Sequence, residues 1–128
     1  MKKLLILGAG TAGTMMANHL RPKLRSNEWD VTIVDQYKTH YYQPGFLFLP
    51  FDTYTESQVK KVGKKLIHKK VNYIQKKIEK IIPNENKVQL EDETINYDVL
   101  IIATGSKIAP QETQGLLGPL WKKDIFDF

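Results

Sequence analysis

Hydrophobic positions along this chain fall into short continuous runs, helically spaced sets and alternating stretches, and each implies a different element. The run Lys3 to Leu7 is too short for a helix and ends at Gly8, so it predicts a strand buried on both faces of a parallel sheet. Ala12, Met15, Met16, His19 and Leu20 then recur at helical spacing up to Pro22, whose ring disfavours continuing the helix. A second short run, Val31 to Val34, ends in Asp35. Strand, glycine turn, helix and strand make one βαβ unit.

Further along, Thr55 with Gln58 three residues on forms a capping box, and Val59, Val62 and Leu66 on one helical face predict a second helix. A third strand is expected over Val71 to Ile74. The stretch KKIEKIIPNENKVQLEDETINY alternates polar and apolar residues around PNEN and EDE, the pattern of a small antiparallel meander of three strands. YDVLIIATG closes the pattern as another doubly buried strand with a glycine exit. One stretch fits neither period: THYYQPGFLFLPFDTY is dense in aromatic residues, proline and glycine, and has almost no charge.

Composition narrows the possibilities. At 128 residues, 41% apolar and 26% charged, the chain has the length and make-up of one globular domain. It has no cysteine, which excludes a disulfide framework or a thiolate metal site within it. His19, His40 and His68 are scattered without metal-ligand spacing, so no metal is expected. No segment approaches the ~18 consecutive apolar residues of a membrane span. The apolar run after Lys2 and Lys3 leads into glycines without a signal-peptidase pattern. The positive charge behind the net +5 is concentrated in Lys60, Lys61, Lys64, Lys65, Lys69, Lys70, Lys76, Lys77 and Lys80. These are read first as a solvated helix face followed by an exposed sheet edge, and second as a surface attracted to anionic lipid. Nucleic acid is not expected as a partner, because no binding motif or aromatic platform accompanies them.

The chemistry sits in the turns. In Gly8-Ala9-Gly10-Thr11-Ala12-Gly13, the first glycine suits the tight turn, the second lets backbone approach a pyrophosphate, and the third lets the helix pack on the strand. The motif follows a predicted strand and opens a helix. Asp35, at the end of the next strand, stands at the distance expected of a carboxylate that accepts the ribose hydroxyls. An NAD domain normally repeats strand and helix at once. Here the second strand runs into the aromatic loop and the third into a meander before Ala103-Thr104-Gly105, an order that matches the FAD-binding domain of two-dinucleotide-domain flavoprotein reductases, with Thr104 and Gly105 near the flavin.

Taken in order, ILGAGTAG, VTIVDQ, HYYQPGFLFLPF and DVLIIATGSKIAP resemble the sulfide:quinone oxidoreductases, over almost the entire chain. Type II NADH dehydrogenases and the flavin subunit of flavocytochrome c sulfide dehydrogenase share the glycine motif and ATG, and a Gln-Pro pair in the aromatic loop also occurs in the NADH enzymes. The resemblance implies a Rossmann-like α/β domain and FAD as cofactor. In such enzymes a cysteine pair takes up sulfide, and electrons pass through the flavin to a membrane quinone. By residue match, Gly8, Ala9, Gly10, Thr11 and Ala12 would cradle the pyrophosphate, and Val34 and Asp35 would hold the adenosine ribose. Gln43 and Pro44 would approach the flavin end, Ile78 would meet adenine through its backbone, and Gly105 would close over the cofactor. Tyr41, Tyr42, Phe46, Phe48 and Phe51 would pack around the cofactor and against neighbouring protein; the alternative is that they fill a loop-covered corner of the core. His40 is either an ordinary hydrogen-bonded histidine or a proton carrier beside the flavin.

Two departures shape the expectation. Family members carry glycine where Asp52 stands, a change that needs a positive φ to be tolerated. They are also several times longer, and the remainder holds the second dinucleotide-like domain, the redox cysteines and the membrane-facing part. Residues 1–128 are therefore expected to be a partial FAD-binding domain, not catalytically competent alone and prone to self-association. Sulfide and quinone are the partners expected of the intact parent. Its location is expected to be cytoplasmic, with peripheral attachment at the inner face of the cell membrane through the missing C-terminal part. A type II NADH:quinone reductase and a non-catalytic nucleotide-binding module are the alternatives.

Overall fold

The computed structural model describes residues 1–107, 109–112 and 114. Strand β1 (Lys2–Leu7) leads through the glycine turn into helix α1 (Thr11–Leu20), and β2 (Trp29–Asp35) follows parallel to β1, with Leu7 opposite Val34. A short strand β3 (Thr39–Tyr41) precedes a 3-10 helix, Gln43–Phe51, and then come α2 (Glu56–Val59) and β4 (Lys60–Val62). After a 3-10 turn at Gly63–Leu66 the chain forms β5 (Asn72–Gln75), β6 (Ile78–Ile82), β7 (Lys87–Leu90), β8 (Thr94–Asn96) and β9 (Val99–Ile102).

The central sheet is parallel, in the order β5-β2-β1-β9, while β6, β7 and β8 form the antiparallel meander expected from the alternation. The two layers explain the continuous apolar runs. Leu4, Ile6, Val31 and Ile33 face Ala17, Met16 and Leu20 of α1; Leu5, Leu7 and Val34 face Val88 and Leu90 of the meander. A strand covered on both faces favours apolar side chains at successive positions, and in β1 and β2 only Thr32 interrupts the central run. This is the α/β class predicted: a parallel sheet with a helix on one face and the three-stranded meander on the other.

The turn after α1 is sealed by Arg21, which is 4% exposed. Its guanidinium donates to the carbonyls of Trp29 at 3.1 Å and Leu24 at 2.5 Å, and to Ser26 Oγ at 3.3 Å. The side chain thereby supplies donors to backbone carbonyls in the turn after α1 and at the start of β2.

Two expectations are corrected. The helix predicted from Val59, Val62 and Leu66 stops at Val59. The capping box of Thr55 and Gln58 is present, but Lys60–Val62 leaves the helix to pair antiparallel with Thr39–Tyr41. A cross-strand partner supplied from elsewhere in the chain outweighs the helical spacing. Lys60, Lys61, Lys64 and Lys65 accordingly do not form a helix face; Lys60 is paired with Glu56, and Lys76 with Asp92 and Glu93.

The second correction concerns β9, which is an edge strand of the sheet and not a doubly buried one: Val99 and Ile102 are exposed, and only Leu100 and Ile101 turn into the two apolar layers. The aromatic loop divides its residues between the two readings. Phe46 is buried and meets Tyr41 edge-on, with ring centroids 6.2 Å apart, and Phe48 and Tyr42 each meet Tyr54 in the same way. Leu47, Phe48 and Phe51 remain exposed, so these side chains do not share one environment. Asp52 ends the 3-10 helix at φ 55°, the left-handed conformation that the glycine-to-aspartate departure requires, with its N–H on the Leu49 carbonyl at 3.2 Å.

Candidate functional site

In an open parallel sheet, ligands bind beyond the carboxyl ends of the strands. There the chains leaving β1, β2 and β9 meet. Gly8 N–H donates to the Val34 carbonyl at 2.8 Å, and Ala103 N–H to the Leu7 carbonyl at 2.7 Å. Gly8 has φ 94°, and a side chain on it would lie 2.7 Å from the Ala103 carbonyl carbon and 2.9 Å from Thr104 Cα, so this turn admits only glycine. Gly13 is equally restricted, because a Cβ there would come within 2.9 Å of the Gly8 carbonyl carbon. Gly10 differs from both. It has φ −69°, caps α1 without a side-chain hydrogen bond, and a Cβ on it would meet nothing within 4 Å.

The space beside Gly10 belongs to a cavity of about 370 Å³ lined by Ala9, Gly10, Thr11, Ala12, Asp35, Tyr37, Thr39, His40, Tyr41, Gln43 and Ala103 to Ser106. A second cavity, about 260 Å³, is lined by Gly8, Asp35, Gln36, Tyr37, Ile78 and Thr104. The two share Asp35, Tyr37 and Thr104 and so form one groove across the strand ends. Its surface combines the helix N-terminus, whose first N–H groups favour an anion, with one carboxylate and several hydroxyls.

Asp35 is held in place by the backbone. Its Oδ2 accepts Ala9 N–H at 2.5 Å, and its Oδ1 accepts Tyr37 N–H at 2.7 Å. A carboxylate has about four acceptor positions, so each oxygen retains capacity for a hydroxyl in the groove. Ala9 is fixed from its other side as well: its carbonyl accepts Thr14 Oγ1 at 3.0 Å and lies 3.0 Å from His40 Nδ1. Tyr73 supports the loop from below by donating its hydroxyl to the Tyr37 carbonyl at 3.1 Å. Burial pushes the Tyr73 phenol pKa up, and the negative charge of Asp35 adds to the rise.

Of the residues singled out in the sequence, Gly8, Ala9, Gly10, Thr11, Ala12, Asp35, Gln43, Ile78, Thr104 and Gly105 line this groove. Gly13 lies behind it, in the contact between helix and strand. Val34 is fully buried in the meander-side core and reaches the turn only through its carbonyl. Pro44 is exposed and lines neither cavity. Gln36, Tyr37, Thr39, Ala103 and Ser106 join the lining without any pattern of their own; adjacency to Asp35 and to ATG is the signal that marks them. Of the aromatic residues expected around a cofactor, Tyr41 lines the groove, while Phe46, Phe48 and Phe51 do not. Among the described residues no cluster of His, Asp and Glu is placed to hold a metal, and no helix is long and apolar enough to cross a membrane.

Known proteins share this fold. The sulfide:quinone oxidoreductase of Aquifex aeolicus superposes with a TM-score of 0.73 at 24% identity, over 85% of this chain and 25% of its own. NDH2 of Plasmodium falciparum, solved in complex with NADH, superposes with a TM-score of 0.70 at 22% identity, over 90% and 24%. At these identities the likeness establishes the fold. In sequence, the mitochondrial sulfide:quinone oxidoreductase of Dictyostelium discoideum is 29% identical over 96% of this chain, and the type II NADH:quinone oxidoreductase of Staphylococcus haemolyticus is 30% identical over 91%. The chain spans 27% and 29% of the length of these two relatives. The family model for pyridine nucleotide-disulphide oxidoreductases matches residues 2–127, and the chain belongs to that family.

Proposed function

We propose that the groove over β1, β2 and β9 holds FAD, and that residues 1–128 are the FAD-binding part of a longer flavoprotein oxidoreductase that oxidises sulfide and reduces a membrane quinone. One observation carries the cofactor assignment: the open side of Gly10 faces the groove, between two glycines whose missing side chains are filled by backbone. Gly8 and Gly13 are explained by packing alone, whereas Gly10 is explained by something that approaches the helix N-terminus.

The residues present fit the group. The first turn of α1 would bind the pyrophosphate, Asp35 would accept the ribose hydroxyls, Ile78 lies where the adenine end would reach, and Gln43, Thr104 and Gly105 would border the flavin. FAD supplies the redox chemistry when bound; the chain binds, orients and shields it. With no cysteine in this chain, the sulfide-handling thiols of the proposed reaction belong to the remainder of the longer protein. Peripheral attachment to the inner face of the cell membrane would be made there too.

Likeness to the Dictyostelium and Aquifex sulfide:quinone oxidoreductases, together with the HYYQPGF segment, supports the sulfide reading. The second reading, NADH:quinone oxidoreduction, is favoured by the 30% identity to the staphylococcal enzyme, against 29% to the Dictyostelium one. Expressing the longer protein and measuring quinone reduction with sulfide or NADH as donor separates them. Sulfide-dependent turnover is expected, and NADH-dependent turnover alone would overturn the sulfide assignment. A gene product that ends at Phe128 would replace both with a nucleotide-binding module.

A further inference from the structure

The lining of the groove has an uneven charge. Among the described residues Asp35 is its one formally charged side chain, and neither cavity is lined by lysine or arginine. A dinucleotide brings a doubly negative pyrophosphate to this surface. The helix N-terminus offers partial positive charge to it, and a full positive charge has one available source in the lining, which is His40.

The position of His40 fixes its chemistry. Its Nδ1 lies 3.0 Å from the carbonyl of Ala9, inside the glycine turn. A carbonyl oxygen only accepts, so Nδ1 carries the hydrogen and Nε2 of the neutral ring is bare. That Nε2 makes no hydrogen bond to protein among the described residues, and His40 lines the same cavity as Gly10, Thr11 and Ala12. Protonation turns it into a donor without disturbing the bond to Ala9. Resting on the FAD assignment above, we propose that His40 is the charge partner of the cofactor's pyrophosphate, anchored through Nδ1 on the glycine turn and taking one proton from solvent at Nε2 as the dinucleotide binds.

Other ionisable groups are placed so that this role falls to His40. Asp35 and Tyr37 line the groove with it, and Tyr41 follows it on β3. Its cross-strand partner on β4 is Lys61, whose ammonium donates to the Ser57 carbonyl, while the neighbouring Lys60 is paired with Glu56. Tyr73 approaches the same strand pair at Gly63 and donates to the Tyr37 carbonyl. Bound phosphate raises the pKa of the imidazolium above its value in the free protein. The gain in affinity is therefore fully present below the free value and lost as pH rises through the bound one. A nearby opposite charge shifts a pKa by about one unit or more, which makes the gain about tenfold.

The test is calorimetric titration of the 128-residue chain with FAD from about pH 5.5 to about pH 8.5, in buffers of different ionisation enthalpy, for wild type and His40→Asn. Asparagine keeps a donor for the Ala9 carbonyl and cannot titrate. Wild type is expected to take up about half a proton per FAD at neutral pH, the maximum for a tenfold difference in affinity, and to bind about tenfold more weakly at the alkaline end; His40→Asn is expected to take up none and to bind with little pH dependence, at the weak limit. Imidazole nitrogen shifts of His40 with and without FAD give the same answer spectroscopically. Equal proton uptake and equal pH profiles in the two proteins would overturn the role of His40 while leaving the FAD assignment standing. Absence of binding by both at every pH would overturn both.

Discussion

Replacing Gly10 by valine separates a ligand-binding glycine from a structural one. The backbone there, φ −69° and ψ −165°, is open to any residue, and the added Cβ has no protein atom within 4 Å. Loss of glycine at a helix N-cap costs up to about 1 kcal/mol. The smaller conformational freedom of valine in the unfolded chain returns about 0.4–1 kcal/mol. Net stability should therefore change by less than about 1 kcal/mol, a shift of roughly 4 °C or less in Tm for a domain of this size. Binding should suffer far more. The valine methyls would occupy the cavity where phosphate oxygens meet the first N–H groups of α1. Losing two charged hydrogen bonds at about 1.5–3 kcal/mol each removes about 3–6 kcal/mol, which is more than a hundredfold in Kd at about 1.4 kcal/mol per decade. Flavin fluorescence titration reads the affinity and a thermal melt reads the fold. A Gly10→Val protein that binds FAD within threefold of wild type, or that unfolds, would refute the assignment of this glycine to the ligand.

Four other outcomes follow from the same contacts. Gly13→Ala should behave oppositely to Gly10→Val, losing about 1–3 kcal/mol or more of stability because its methyl meets the Gly8 carbonyl, measurable as a fall in denaturation midpoint. Asp35→Ala leaves the N–H groups of Ala9 and Tyr37 without their acceptor and removes the ribose acceptor, so FAD affinity should fall by about 1–3 kcal/mol in a titration of the folded variant. Arg21→Ala should cost about 2–3 kcal/mol in chemical denaturation, since the Trp29 and Leu24 carbonyls lose charged donors at a buried site. The isolated chain should bind a hydrophobic dye and self-associate in light scattering through Leu47, Phe48 and Phe51, and Phe51→Ser should reduce both signals.

Much of the fold was legible because local pattern and tertiary demand coincide. The two apolar runs on either side of the glycine turn are buried on both faces, and the helix between them packs by its spaced apolar positions, so periodicity alone identifies them. The meander was legible for the same reason, with Val88 and Leu90 inward and Lys87 and Gln89 more exposed. Failure came where pairing depends on residues far along the chain. Lys60–Val62 is a strand because Thr39–Tyr41 lies beside it, and nothing within residues 55–66 carries that information. The edge position of β9 was hidden too, since an apolar run reads alike at the centre and the edge of a sheet. The 3-10 helix Gln43–Phe51 has a period near three, so neither the helical nor the strand template detects it.

The site divides in the same way. That Gly8 to Ala12, Asp35 and Thr104 line one groove could be read from the pattern, because the strands ending at Leu7, Asp35 and Ile102 and the start of α1 are fixed by it. His40 could not be assigned from its neighbours. The role proposed for it rests on a contact to Ala9, 31 positions earlier in the chain. Val34 and Pro44 show the converse: each adjoins a groove-lining residue, yet one side chain lies in the core and the other in solvent.

That the groove over β1, β2 and β9 is a dinucleotide site is tested most directly by backbone amide shifts of the isotopically labelled chain during titration with FAD. The account predicts saturable changes at Gly8 to Gly13, at Asp35 to Tyr37 and at Thr104 to Ser106, with the meander amides of Lys87 to Leu90 little moved. Saturation with no change at Gly10 and Thr11, or changes centred on the exposed Leu47 to Phe51 surface, would contradict it.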